Sequence, residues 1–345
     1  MAGSNHDRST TAILAAVVLL LLLLSWSGES SAQDGPIRPA FQSGFRRAEF
    51  TDGERRTRAI RVWYPTTAAA GKITYAGGQE GVVAQDAPVA PGVHPVVLFS
   101  HGLWSNPEFT AFLIEEMARS GFIVAAVLHR DASTAEKGGW EKEALPRFDK
   151  PGEWDDRSFV DRRNDLTALL DHLLALDQKE ESFLQGRINR DAIGAMGHSM
   201  GGHTVLGTVG GWPSWRDRRI RAALLLSPYI LPYLDRGDLA GVEVPVMMQG
   251  ATLDLGITPS LPALYEKLAS PKYLLVLKNQ THLAWLNMIC RGRSTADTVR
   301  EAPNARLIAE YSVAFFDHHL QGGGNGLLTR ANPALSSYRF PDRKN

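Results

Sequence analysis

Gly197-His198-Ser199-Met200-Gly201 stands directly behind the apolar run 192–196, and this junction constrains the chain more than any other feature. A serine spaced between glycines in this way marks a nucleophile elbow, a tight strand-to-helix turn that lifts a hydroxyl above the end of a parallel sheet. The flanking glycines are needed because the turn leaves no room for a Cβ and the helix must lie close to the strand. A short pattern carries little weight alone. A base, an acid and oxyanion donors must therefore stand at matching places along the chain.

The rest of the sequence supplies the sheet. Val96-Val97-Leu98-Phe99 and the runs 122–127, 222–226, 244–248 and 273–277 are short and continuously apolar, as in strands buried on both faces of a parallel sheet. Arg58-Ala59-Ile60-Arg61-Val62-Trp63-Tyr64-Pro65 alternates and stops at proline, which predicts an edge strand, and 66–94 reads as loop. Helical signals lie between the strands. Ser105 or Asn106 caps a helix that begins at Pro107 and ends at Gly121, and Leu166, Leu169, Leu170 and Leu173 share one helical face. The segment 131–158, with Trp140 and Trp154, reads as an elaborated loop. Alternation of strands and helices predicts an α/β fold, a mostly parallel central sheet with helices on both faces and its site beyond the strands' carboxyl ends.

Arg8, the uncharged run 12–24, the polar stretch 25–31 and the pair Ser31-Ala32 have the layout of a secretory signal peptide, 1–32, cut before Gln33. The run is shorter than the roughly 20 apolar residues that span a bilayer, so export to the periplasm or beyond is expected, without stable membrane insertion after cleavage. Residues 33–345 then form a single domain, with a core over about 56–320 and a flexible tail over 321–345 that includes Gly322-Gly323-Gly324-Asn325-Gly326. The only cysteine, Cys290, rules out an intramolecular disulfide. Balanced charge, 37 Lys and Arg against 37 Asp and Glu, argues against a nucleic-acid partner.

Serine is a weak nucleophile and needs a base, which in turn needs an orienting carboxylate. His282 follows the run 273–277 in a short loop on the same rim as Ser199, which makes it the expected base. His203 lies one turn into the elbow helix, and His318 and His319 close the last helix. Asp254, after the run 244–248, is the favoured acid on chain order, with Asp235 and Asp238 as rivals. The expected oxyanion donors are the backbone N–H groups of Met200, next to the serine, and Leu103, after Phe99-Ser100-His101-Gly102. Trp104, Tyr229 and Trp285 are candidates for the substrate pocket or for core packing. No H-E-x-x-H, Cys/His metal spacing or P-loop is present, so neither a metal nor a cofactor is expected.

Arg61-Val62-Trp63-Tyr64-Pro65, Phe99-Ser100-His101-Gly102-Leu103 and Gly197-His198-Ser199-Met200-Gly201-Gly202 resemble bacterial proteins related to dienelactone hydrolase and to platelet-activating-factor acetylhydrolase. The likeness covers most of 56–320 and implies the α/β-hydrolase fold. In the acetylhydrolases the leucine after His-Gly and the residue after the serine form the oxyanion hole, which implies Leu103 and Met200 here. Those enzymes carry their acid where this chain has Ser227, which is no carboxylate. Asp254 in Asp254-Leu255-Gly256-Ile257-Thr258-Pro259 is instead similar to dienelactone hydrolases and to cutinase-like polyester hydrolases. The polyester hydrolases place an aromatic residue at the position of Tyr229, where it holds the acyl part of the substrate. Dienelactone hydrolases proper use a cysteine nucleophile, which Ser199 argues against. The expected function is an exported serine esterase that acts through an acyl-enzyme on a small-molecule, lipid or polymer ester. An acyltransferase or amidase on the same triad, and a silent binding protein on this fold, are the alternatives.

Overall fold

The computed structural model describes residues 40–133, 148–236, 239–269 and 271–341. The signal-peptide segment 1–32, Trp140 and Asp238 lie outside them. The described strands are β1 Gln42–Thr51, β2 Thr57–Thr66, β3 Gly71–Thr74, β4 Glu80–Gln85, β5 His94–Ser100 and β6 Ile123–Val127. They continue as β7 Ile188–His198, β8 Ala222–Leu226, β9 Val246–Ala251, β10 Lys272–Leu277 and β11 Leu335–Arg339. All belong to one sheet, in the order β11-β10-β9-β8-β7-β5-β6-β2-β1-β4-β3. From β6 through β5, β7, β8 and β9 to β10 every neighbour is parallel, and antiparallel pairs bound this block on both sides.

The helices are α1 Ala111–Arg119, α2 Val160–Gln178, α3 Met200–Leu206, α4 Leu231–Arg236, α5 Leu261–Lys267, α6 Thr295–Glu301 and α7 Pro303–Phe316. Continuous apolar strands need cover on both faces, because successive side chains point to opposite sides. Val97, Phe99, Leu224 and Leu226 meet Phe112 of α1 and Ile308 and Phe315 of α7 on one face. Val96, Leu98, Ala223 and Leu225 meet Leu166 and Leu170 of α2 and Val205 of α3 on the other. Each such leucine is worth about 1.5–3 kcal/mol relative to exposure, so the two layers fix the sheet between its helices.

Register then sets the site. Ser100 pairs with Gly197, His198 with Leu226, Leu226 with Gln249, and Leu277 with Ala251. The carboxyl ends of β5, β7, β8, β9 and β10 are therefore level. The loops that leave them, holding Leu103, Ser199, Ser227, Asp254 and His282, emerge along one rim.

Four sequence expectations change. β2 is not an edge strand, because β1, which carries no strong strand signal, pairs with it along its whole length. The stretch 66–94 contains β3 and β4 rather than loop alone. The fold also begins earlier than residue 56, at β1. The expected flexible tail is ordered in part, since β11 pairs with β10 and Tyr338 packs against Tyr311 with ring centroids 5.1 Å apart. Strands of mixed polar and apolar residues win their place through their pairing partners, in hairpins for β1 with β2 and β3 with β4 and across the chain for β11 with β10, which local periodicity does not report. Among the described residues no helix is long and apolar enough to cross a membrane.

Candidate active site

Ser199 sits between β7 and α3 with φ 54° and ψ −116°, a conformation that L-residues rarely adopt. Neighbouring backbone holds it there. The Ser199 N–H donates to the Leu226 carbonyl at 2.9 Å, and its own carbonyl accepts from Tyr229 N–H at 3.1 Å and His203 N–H at 3.2 Å. Glycine is mandatory beside it: a Cβ at Gly201 would collide with the Ser100 carbonyl, and one at Gly197 with the backbone of Gly201. The strained turn leaves the Ser199 side chain partly exposed at the top of the sheet.

His282 and Asp254 meet across the loops after β10 and β9. His282 Nδ1 lies 2.9 Å from Asp254 Oδ2. The two loops are joined by Leu253 N–H to the Gln280 carbonyl, 2.8 Å, and by Asn279 N–H to Thr252 Oγ1, 2.8 Å. Asp254 is buried. Burial pushes its carboxyl up, but hydrogen bonds from His282 and Ser227 outweigh this and hold it below the usual carboxylate range. An ionised Asp254 accepts Nδ1–H, which leaves the Nε2 lone pair of His282 free to take a proton.

Two neighbours brace this pair in ways that the sequence does not reveal. Ser227, in the position where acetylhydrolases carry an acid, donates its hydroxyl to Asp254 Oδ2 and lies 2.9 Å from His282 Nδ1. It supports the carboxylate without replacing it. His198 lies under His282 with ring centroids 4.8 Å apart and donates Nε2–H to the His282 carbonyl at 3.0 Å. Burial and then the nearby His282 ring depress the pKa of His198 to about 3, so it stays neutral and serves as a fixed donor. Its place immediately before the serine was the one available signal.

Ser199 and His282 face the same space, although no hydrogen bond joins their side chains among the described residues. Such contacts often tighten only in the substrate complex. A cleft of 490 Å³ reaches them on one side, lined by Leu103, Trp104, Phe109, Leu283, Leu286 and Met288 among others. A smaller one of 200 Å³ approaches on the other side between Leu103, Phe148, Met200, Tyr229 and Ile257. Leu103 borders both. Neither Leu103 N–H nor Met200 N–H donates to a described acceptor, so both are available to an anionic oxygen beside Ser199.

Of the expected pocket aromatics, Trp104 lines the larger cleft and Tyr229 the smaller. Trp285 does not line either. It is fully buried, its indole N–H bonded to Gln249 Oε1 at 2.9 Å, so it belongs to the core. Of the rival acids, Asp235 is exposed on α4 and makes no contact with His282 among the described residues.

His203 packs inside an aromatic shell, with ring centroids 4.7 Å from Tyr233 and 5.3 Å from Trp154. Burial depresses its pKa from the ordinary 6.5 to about 3. The folded state therefore keeps a neutral ring where the unfolded chain binds a proton, and stability falls as pH drops from about 6.5 towards 3. Replacement of His203 by Phe should flatten the decline of the unfolding midpoint over this window. Scanning fluorimetry against pH would read it, and an equally steep decline would refute the assignment.

Residues 70–149 match the family model of platelet-activating factor acetylhydrolase, isoform II, and 149–322, about half the chain, match the PET hydrolase-like family model. A platelet-activating factor acetylhydrolase of Cavia porcellus is 29% identical over 161 residues, which are 40% of this chain and 36% of the relative. The chain spans about a third to a half of the length of the acetylhydrolases it matches. Cutinase 1 of Thermobifida cellulosilytica is 25% identical over 232 residues, covering 66% of this chain and 69% of the cutinase. A solved ferulic acid esterase of Streptomyces cinnamoneus superposes with a TM-score of 0.64 at 21% identity, over 90% of this chain and 98% of that one. That likeness carries the fold, which is the α/β-hydrolase fold.

Proposed function

We propose that this chain, which belongs to the PET hydrolase-like family of α/β-hydrolase esterases, is an exported serine hydrolase that cleaves carboxylic esters through an acyl-enzyme. The observation that carries the reading is the 2.9 Å contact of Asp254 with His282 on the rim that also presents the strained Ser199. Ser199 Oγ attacks the ester carbonyl as His282 Nε2 takes its proton. The carbonyl π electrons move onto oxygen, and the N–H groups of Leu103 and Met200 receive that charge. Collapse expels the alcohol, protonated by His282, and leaves Ser199 acylated. Water, deprotonated by the same imidazole, then releases the acid and restores the serine.

The clefts favour an uncharged ester with apolar groups on both sides of the scissile bond. Among the described residues, no Lys, Arg or Glu lines either cleft, and Asp254 is occupied by His282 and Ser227. A profile across p-nitrophenyl acyl lengths, a phospholipid, a solid polyester and a matched amide tests this. Turnover of uncharged aliphatic and aromatic esters is expected, with the amide far slower. Product analysis with a competing alcohol separates hydrolysis from acyl transfer. Failure of a fluorophosphonate to label Ser199, together with no ester turnover, would leave the silent binding protein as the reading. Export is tested by N-terminal sequencing of the chain recovered outside the cytoplasm, which should begin at Gln33.

A further inference from the structure

We propose that Arg162 is a positioning residue that sets the oxyanion hole from behind, by clamping the carbonyls of His101 and Gly102. This rests on the serine-hydrolase reading above. Arg162 lies in the first turn of α2 on the same face as Leu166, Leu169 and Leu173, and it is completely buried. A guanidinium on the apolar stripe of a helix is costly to desolvate and is tolerated only where fixed partners replace its water. Here the partners are specific. Nη1 donates to the His101 carbonyl at 2.7 Å, and Nη2 to the Gly102 carbonyl at 3.2 Å and to Asp131 Oδ2 at 2.6 Å.

The Gly102 carbonyl belongs to the same peptide unit as the Leu103 N–H. In a planar trans peptide the two point in opposite directions. A guanidinium that anchors the oxygen on the buried side therefore holds the N–H towards the cleft. His101 reinforces the anchor, with Nδ1 2.7 Å from the Gly102 oxygen, while its Nε2 accepts from His129 N–H at 3.1 Å. Burial, with the neighbouring His129 and Arg162, keeps the His101 ring neutral, which suits a ring that donates from one nitrogen and accepts at the other.

On the opposite side, a Cβ placed on Gly102 would lie 3.6 Å from Ser199 Cβ, so the clamped peptide is a direct neighbour of the nucleophile. Leu103 borders both clefts, and its N–H has no acceptor among the described residues. The positive charge on the carbonyl side also polarises the amide and makes Leu103 N–H a stronger donor. Lysine would place one point charge there, without the fork that spans two consecutive carbonyls.

The test compares Arg162→Lys and Arg162→Met with the parent chain in ester kinetics and in affinity for a trifluoromethyl ketone, whose serine adduct carries the oxyanion. Loss of one oxyanion donor costs about 10²- to 10³-fold in kcat. Arg162→Met should approach the lower figure, with KM within about twofold and ketone affinity falling in parallel with kcat. Arg162→Lys should fall between Met and the parent. Folded variants with unchanged kcat, or a kcat loss with unchanged ketone affinity, would overturn the proposal. Should both variants fail to fold, Asp131→Asn decides, because it loosens the guanidinium from a partly exposed position. It should show a several-fold loss in the same pattern, and parental kcat and ketone affinity would refute the role. Fluorophosphonate labelling of the parent keeps the outcomes separate: an unlabelled parent sinks the serine-hydrolase reading itself.

Discussion

Ser199→Ala should lower turnover of short-chain p-nitrophenyl esters by about 10⁶-fold, the scale seen when a triad serine is removed. The unfolding midpoint should stay near that of the parent. The reason is local. The elbow is held by backbone bonds from Ser199 to Leu226, Tyr229 and His203, none of which uses the hydroxyl. Alanine keeps the Cβ, so it inherits the strain at φ 54° without adding to it. The same variant should lose all labelling by a fluorophosphonate. Activity above a few per cent of the parent would mean that another group carries the reaction, and the acyl-enzyme scheme would fall.

Asp254→Asn should be the second largest effect, with kcat down by about 10⁴-fold, as when the orienting carboxylate of a triad becomes an amide. Asparagine cannot hold Nδ1–H against a negative oxygen. Its amide group also competes with the Ser227 hydroxyl, which now bonds Asp254 Oδ2. The imidazole then loses the tautomer that leaves Nε2 free, and the charge that stabilises the imidazolium disappears. Ser227→Ala removes one donor from the carboxylate but no charge, so it should cost far less than the loss of Asp254. Asp235→Asn should be nearly silent, because its exposed carboxylate on α4 does not meet His282. A larger loss at Asp235 than at Asp254 would show that the acid was misassigned. Michaelis–Menten kinetics on the three variants, with circular dichroism to check folding, decides between these outcomes.

Much of this site is legible in the sequence because its parts are short and contiguous. The elbow needs two glycines around one serine. The chain order Ser199, Asp254, His282 follows from which apolar runs precede each residue. The central strands are readable too, since burial on both faces requires an unbroken apolar run. The misses share a physical cause. β1 with β2 and β3 with β4 form hairpins, while β4 is tied to β1 and β11 to β10 across long stretches of chain, so these strands are fixed by pairing and their own residues carry little signal. Sequence leaves Trp285 open between the substrate pocket and core packing. A bond to Gln249 on β9 places it in the core. Arg162 leaves a trace in the sequence, a basic residue on the leucine stripe of α2. Periodicity marks such a residue as anomalous, but it does not say which carbonyls the guanidinium reaches.

The sequence alone determined the elbow motif, its strand and helix, and the chain order of Ser199, Asp254 and His282, because each depends on a few adjacent residues and their backbone preferences. Only the tertiary structure decided which carboxylate meets His282, that Ser227 and His198 brace that pair, and that Arg162 lies behind Gly102. Those contacts join residues from 27 to 84 positions apart. They exist because the registers of five parallel strands bring distant loops to one level, and that alignment is a property of the packed sheet rather than of any single segment.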